Sequence, residues 1–313
     1  MTEADRATPE VTARSDVTAR SDEVTARSDS VTAALEPRAS RSWWRLIALV
    51  FGALVFLFPF YYMIIGSLQK TQNTSLSGVL PNPGNITLHN YGEINAAIGL
   101  GKAIINSGIF TGGVLLATLV FGILAGYALA RLSFRGRGLL FALMLLVLTV
   151  PFQLLIIPLY VLIARNYGLA NSYLGMIAPF AINSTAVLIF RQYFMQLPEE
   201  LFDAARIDGA SELKVLIHIA LPLVRPAVLT AMLLTFIGPW NEFLWPFLIT
   251  KQQGLQPLAV ALANYIDNVA ATASNPYGAI LAGACVLAAP AVALIIGFQR
   301  YFVSTNIGSG VKG

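Results

Sequence analysis

The sequence predicts an all-α integral membrane protein with six transmembrane helices and a helical loop between the fourth and fifth. Three observations carry that prediction: scarce charge, six long apolar stretches, and a lopsided distribution of basic residues. Of the 313 residues, 56% are hydrophobic and only 12% are charged, about half the ~25% charged residues of a typical soluble protein. A single cysteine, Cys285, excludes an internal disulfide framework and a cysteine-based zinc site, and His89 and His218 are too far apart in sequence to suggest a histidine centre. No metal and no cofactor is therefore expected.

The N-terminal segment stands apart from the rest. Val-Thr-Ala-Arg-Ser-Asp occurs at Val11, Val17 and Val24, with a partial copy from Val31. Each copy offers one Val and one Ala and no aromatic residue, too little apolar surface to offset the entropy of ordering. Residues 1–40 are expected to be a disordered cytoplasmic tail, and 41–313 a six-helix transmembrane domain. Arg and Asp alternate along the repeats and nearly cancel, which argues against docking on a membrane surface. The apolar run begins near Trp43, too late for a signal peptide.

A bilayer core of about 30 Å needs roughly 20 helical residues, and the predicted spans are 46–66, 103–130, 139–164, 172–190, 227–249 and 278–299. Pro59, Pro151, Pro158 and Pro290 fall inside them and predict kinks, which membrane helices tolerate where neighbours satisfy the freed carbonyls. Gly108 with Gly112, and Gly122 with Gly126, place small residues one turn apart and predict close helix contact.

Orientation follows from charge. With the N-terminus in the cytoplasm, 16 of the 20 Lys and Arg residues lie on that side, and without the tail the split is still nine to four. That is a positive-inside pattern. It predicts a multi-pass membrane protein with both termini cytoplasmic, and it explains the basic residues without nucleic acid.

The segment 191–225 is too long for a plain connector and reads as two short helices. Pro198 stands at the first helical position, Glu199 and Glu200 follow in the first turn, and Gly209 ends the run. Ser211 then stands as a cap for an amphipathic helix through Leu213, Leu216, Ile217 and Ala220, closed by Pro222 and Pro226.

Asp203-Ala-Ala-Arg-Ile-Asp-Gly209, nine residues, then Ile219-Ala-Leu-Pro222 resembles the EAA loop of binding-protein-dependent ABC importer permeases, with Asp203 in place of the usual Glu. Further residues are similar to the carbohydrate-uptake branch: Asn90-Tyr91, the run from Gly126 to Arg137, Pro158-Leu-Tyr160, Trp240-Asn-Glu-Phe243, and Gln299-Arg-Tyr-Phe-Val303 with Val311-Lys-Gly313. The resemblance covers about 46–313 and implies a type I ABC importer permease fold. The implied partners are a second permease in a heterodimer, two ATP-binding subunits and an extracytoplasmic sugar-binding protein, in a lipid bilayer with a sugar as cargo. It also implies that Asp203, Ala204, Ala205, Asp208, Gly209, Ile219, Leu221 and Pro222 couple to the ATPase: Ala204, Ala205 and Gly209 by close fit, Asp203 and Asp208 by polar contacts or caps. The bland alternative for Asp208 and Gly209 is a turn between two helices.

Glu242 lies inside the fifth span, where a carboxylate is expensive and marks a functional candidate. It either meets a polyhydroxylated ligand in a cavity beside Trp240 or Trp245, or serves as a hydrogen-bond partner between helices or part of a gate. Asn241 belongs to the same group. Gln153, between Pro151 and Pro158, either lines a pore or bonds to a neighbouring helix. His218 reads as an interface residue of the loop helix.

Absences narrow the function class. The one Gly-Lys pair, Gly101-Lys102, lacks the glycine spacing and the hydroxyl of a phosphate-binding loop, so ATP hydrolysis is expected on separate subunits. No catalytic residues are expected, and the chain reads as a transport subunit, not an enzyme. The rival reading is an ion-coupled secondary transporter of small polar solutes. Such carriers usually hold several intramembrane ionisable groups, whereas only Glu242 qualifies here.

Overall fold

The computed structural model describes residues 43–73, 75–268 and 275–307, with no account of the side chains of residue 76 and residues 300–307. The repeat-bearing tail 1–40 and the terminal Val311-Lys-Gly313 lie outside the described residues. The chain divides into two units, Met1–Pro59 and Phe60–Gly313. The boundary falls within helix α1, Trp43–Ser67. Among the described residues the only β pairing is an isolated bridge between Gln69 and Ile86.

In the second unit, α2 (His89–Ile98) leads through Gly99 into the long α3 (Leu100–Arg131). The chain continues with α4 (Arg137–Thr149), α5 (Phe152–Asn166), α6 (Tyr173–Phe180) and α7 (Ser184–Met195). Two loop helices follow, α8 (Glu199–Ile207) and α9 (Glu212–Leu223). The remainder is α10 (Arg225–Asn241), α11 (Leu244–Ile249), α12 (Leu258–Asn268) and α13 (Pro276–Ile307).

Three helices, α1, α3 and α13, are long and apolar enough to cross a membrane unbroken, and the count reaches six if each bent pair is one span. The third predicted span is α4 plus α5, which meet at 98°. Proline steers the preceding residue out of the helical region, and Val150 before Pro151 is extended at φ −87°, ψ 116°. The fourth is α6 plus α7, bent by 50°, with Asn183 starting α7 by accepting the Ala186 N–H at 3.0 Å. The predicted fifth span, 227–249, is interrupted at Glu242 and Phe243 between α10 and α11. Pro59 and Pro290 lie inside unbroken helices instead of ending them.

Helix α3 organises the second unit. It packs along α7 where a Cβ on Gly126 would come within 2.6 Å of the Phe190 Cβ, so only glycine admits this approach. Gly122 faces the same ring. The other predicted pair does not act this way: Gly108 and Gly112 face open space, and Gly113 receives Ile177. Four apolar clusters form among the described residues, and the two largest lie along α3. One, at the Arg131 end, gathers Tyr127, Phe190, Phe194, Phe202, Val215, Leu216 and Ala227. The other, nearer Leu100, gathers Phe110, Val114, Met176, Trp245 and Ile249.

Candidate coupling interface

The loop between α7 and α10 is two short helices, as its residues predict, with shifted details. Pro198 occupies the N-cap position, extended at ψ 138°, and α8 starts at Glu199. Glu199 and Glu200 in the first turn suit the positive end of the helix dipole. Ser211 stands at the N-cap of α9, but its side chain makes no capping bond. Pro222 lies within the last turn of α9, and the chain turns at Val224 before α10, which leaves at 80°.

Helix α8 ends in a tight left-handed turn. Gly209 has φ +75°, Ala210 N–H reaches Ala205 O at 3.0 Å and Gly209 N–H reaches Arg206 O at 3.0 Å. This is a Schellman motif, in which a left-handed residue satisfies the last carbonyls of a helix. Gly209 therefore has a backbone reason to be glycine. A Cβ there would meet open space, so the constraint is conformational and not steric.

The faces of α8 divide cleanly. Phe202 and Ala205 point inward and are buried in the core at the Arg131 end of α3. Asp203, Ala204, Ile207, Asp208 and Gly209 are exposed. Ala205 is thus packing and not part of an outward fit, because it lies three residues after Phe202 on the buried face. Ile207, at 87%, is the most exposed large apolar residue among those described. It is not among the expected coupling residues, although it lies three residues from Ala204 and two from Ala205, out of phase with the buried stripe. It sits on a loop helix bearing Glu199, Glu200 and Asp203 rather than on an apolar span, so lipid does not explain its exposure.

A polar brace fixes this face to the bundle. Tyr127 OH of α3 donates to Glu212 Oε2 at 2.7 Å, and Arg206 Nε donates to Glu212 Oε1 at 3.0 Å. Arg206 also pairs with Asp203 at 3.3 Å. The Tyr127 hydroxyl, and after it the Arg206 guanidinium, hold the Glu212 carboxyl below its ordinary range against the opposing pull of burial. Arg131, one turn on from Tyr127, donates from Nε to Phe194 O at 2.9 Å and from its guanidinium also to Leu197 O. Its guanidinium carbon lies 4.2 Å from the centre of the Phe202 ring. One side chain thereby satisfies carbonyls near the end of α7 and grips the helix that follows.

The remaining predicted loop residues divide between core and groove. Ile219 is half-buried against the core, while Leu221 and Pro222 join Ile123, Ile217, Arg225 and Val228 around an apolar groove of about 490 Å³. His218 is exposed, its Nδ1 3.2 Å from Lys214 O. Asp208 is the C-cap residue and makes no side-chain bond among the described residues. An acid at a helix C-terminus opposes the dipole, so Asp208 does not stabilise α8.

The second predicted group occupies the break in the fifth span. Glu242 is half-buried and its Oε1 accepts the Trp245 N–H at 3.2 Å, capping α11. The local chain uses this carboxylate, which is the role of a structural acid. Trp240 and Trp245 are buried at 5% and 0% exposure. Trp240 Nε1 donates to Leu287 O at 2.8 Å and Trp245 Nε1 to Gly175 O at 3.1 Å. Neither indole presents a face to a ligand in this arrangement. Asn241 is exposed and bonds to Ile237 O at 2.9 Å, and Gln153 is exposed in the first turn of α5.

Among the described residues no group of three or more His, Cys, Asp or Glu side chains is arranged to hold a metal. The geometry is that of an exposed loop helix braced to a long helical rod.

Known proteins place this architecture. Over 84% of the chain and 95% of the relative, it is 32% identical to the sn-glycerol-3-phosphate transport system permease protein UgpE of Yersinia enterocolitica. Over 87% of the chain and 97% of the relative, it is 34% identical to the arabinooligosaccharides transport system permease protein AraQ of Halalkalibacterium halodurans. A bacterial ABC transporter involved in the import of the acidic polysaccharide alginate shares the fold, with a TM-score of 0.72 at 23% identity over 86% of this chain and 99% of the other. Residues 118–305 match the model of the binding-protein-dependent transport system inner membrane component family. The chain belongs to that family: it is a multi-pass membrane permease of an ABC importer, a transport component that works with other permease, ATPase and binding-protein subunits and is not itself an enzyme.

Proposed function

We infer that this permease imports a sugar or sugar-derived solute and is driven through α8, which docks into a cleft of an ATP-hydrolysing subunit. The observation that carries the docking role is the exposed pair Ala204 and Ile207, held rigid by Tyr127, Glu212, Arg206 and Arg131. A small residue permits close approach and an exposed apolar one supplies the contact, while Asp203 and Asp208 offer acids for charge-assisted bonds. Leu221 and Pro222, at the apolar groove beside the end of α9, contribute a second contact in this reading. Ala205 acts from inside, as packing that sets the position of α8.

In this reading one copy pairs with a second, similar permease and two ATPase subunits serve the pair. Both termini and α8 face the cytoplasm, in keeping with the excess of Lys and Arg on that side. ATP-driven closure pulls the coupling helices together, and the pathway switches its open side. The breaks at Pro151 and Glu242 are places where helices of the pathway can change angle.

The sugar assignment rests on the names of the relatives, arabinooligosaccharides and sn-glycerol 3-phosphate. Its test is uptake into proteoliposomes holding the assembled transporter, with arabino-oligosaccharides and glycerol 3-phosphate as cargoes. The expected uptake of at least one requires ATP and the binding protein and ignores collapse of ion gradients. Uptake that follows an ion gradient without ATP would overturn the reading in favour of a secondary transporter.

A further inference from the structure

The end of α3 remote from Tyr127 carries a second feature, a cavity of about 560 Å³. Lys102 and Tyr127 are 25 positions apart on one helix, roughly 37 Å along its axis, so in the proposed orientation this cavity opens on the external side. Its volume is that of a small-molecule site.

Four kinds of group line it. Lys102 and Lys251 are cations, and no carboxylate is among the described lining residues, the Glu93 carboxylate acting on Tyr265 from behind the wall. The Lys102 ammonium lies over Gly254, 3.0 Å from where a Cβ would stand, a position that any side chain there would crowd. Lys251 Nζ sits 4.9 Å from the centre of the Phe247 ring and donates to Phe247 O at 3.2 Å. Asn264 donates to Gln256 Oε1 at 2.9 Å, which leaves the other polar end of each amide uncommitted to a side chain among the described residues. The fourth is Tyr265, which is 1% exposed and whose buried hydroxyl has no hydrogen-bond partner among the described residues. An unmet buried hydroxyl costs stability unless something fills the site.

The wall is itself firmly built. Asn106 of α3 donates to both Gly254 O and Gln256 O at 3.0 Å, and Ser107 Oγ accepts the Leu258 N–H at 2.8 Å. The loop bearing the cavity is therefore fixed to α3 before any ligand arrives.

We propose that this cavity is an external site for an acidic sugar: Lys102 and Lys251 bind one carboxylate, and the amides of Gln256 and Asn264 bind hydroxyls. The chemistry is that of a hexuronate. Two ammonium groups with no carboxylate partner among the described residues favour an anion, and the uncommitted amide ends suit the hydroxyls of a polyol. The proposal rests on the reading of this chain as a sugar importer, but its test does not involve transport.

The assembled transporter in nanodiscs is labelled with a lysine-acetylating reagent, and modification of Lys102 and Lys251 is read by mass spectrometry during titration with galacturonate, glucuronate or galactose. Saturable protection of both lysines by a uronate is expected, with galactose about tenfold weaker or worse, a difference of roughly 1.4 kcal/mol. In Lys102→Gln and Lys251→Gln, each substituted at an exposed position, protection of the remaining lysine should need about tenfold more uronate. Equal protection by galactose and uronates, or none by any of them, would overturn the proposal. Protection produced only by solute-free binding protein would overturn it too, since the cavity would then receive a side chain of that protein. A uronate that protects the lysines while the uptake tests fail would separate this site from the transport assignment.

Discussion

The two ends of α3 solve the same problem with different residues. At the Arg131 end, Tyr127 and Arg131 reach across to α9, the end of α7 and the Phe202 ring. At the Leu100 end, Asn106 and Ser107 clasp the backbone around Gly254, Gln256 and Leu258. In both, a polar side chain of one helix satisfies backbone or side-chain groups that a loop would otherwise bury unpaired. The surfaces they hold differ. One is a convex tip with exposed Ile207, and the other a concave pocket with two lysines and a buried hydroxyl. A convex apolar tip suits a protein partner, and a concave polar pocket suits a small solute. The rod between them, roughly 32 Å from Asn106 to Tyr127, fixes both to one rigid element.

Removing Arg131 should break the first end most. Arg131→Met leaves the carbonyls of Phe194 and Leu197 without this donor and loses the contact with Phe202, so a loss of about 3 kcal/mol in thermal or denaturant stability is expected. Ile207→Ala leaves the fold intact and removes an exposed anchor; about 2 kcal/mol of docking energy, or roughly 30-fold weaker affinity for the ATPase subunit, should follow in a pull-down titration. The parallel change at the other end, Asn106→Ala, should cost about 2 kcal/mol of stability without altering ATPase affinity. If it does alter that affinity, the two ends are coupled more tightly than separate clasps allow. Gly209→Ala forces a Cβ into a left-handed turn and should cost about 1 kcal/mol, seen as faster amide exchange in α8. The smallest effect is that of acid. Because Glu212 is held below its ordinary pKa, its contribution is complete above about pH 5 and is lost as pH falls through the lowered value. Tyr127→Phe should flatten that acid limb.

Much of this was legible in the sequence. Six apolar stretches, the two loop helices and the turn at Gly209 follow from hydrophobic length, caps and glycine, which are local signals. The breaks were harder. Four prolines predicted kinks; Pro59, Pro158 and Pro290 lie inside helices, and the chain breaks at Pro151 and, with no proline to announce it, at Glu242. Whether a proline bends a helix depends on what neighbours offer the freed carbonyl, and that is tertiary information. The glycine pairs show the same limit. Gly122 and Gly126 meet Phe190, but Gly108 and Gly112 meet nothing, and spacing alone does not separate them.

The site residues divide along the same line. Ala204 and Gly209 are exposed where the loop pattern places them, but adjacent Ala205 turns inward with Phe202, and Ile207 takes the outward position. Helical phase could have assigned both, once Phe202 was taken as the buried anchor. Trp240 and Trp245 suggested a sugar platform by residue type; their indoles instead bond to carbonyls of Leu287 and Gly175, partners 47 and 70 positions away that no local pattern reveals. The cavity holding Lys102 and Lys251 joins segments about 150 residues apart and was invisible for the same reason.

The central claim is that the α8 tip is where ATPase movement enters the permease. Its most direct test is a photo-crosslinking residue placed at position 207 of the assembled transporter, with a second at position 102 as the control. The account predicts capture of the ATPase subunit from 207 and none from 102, with the yield at 207 changing on ATP addition. Failure of 207 to capture the ATPase subunit in a complex that still transports would contradict it.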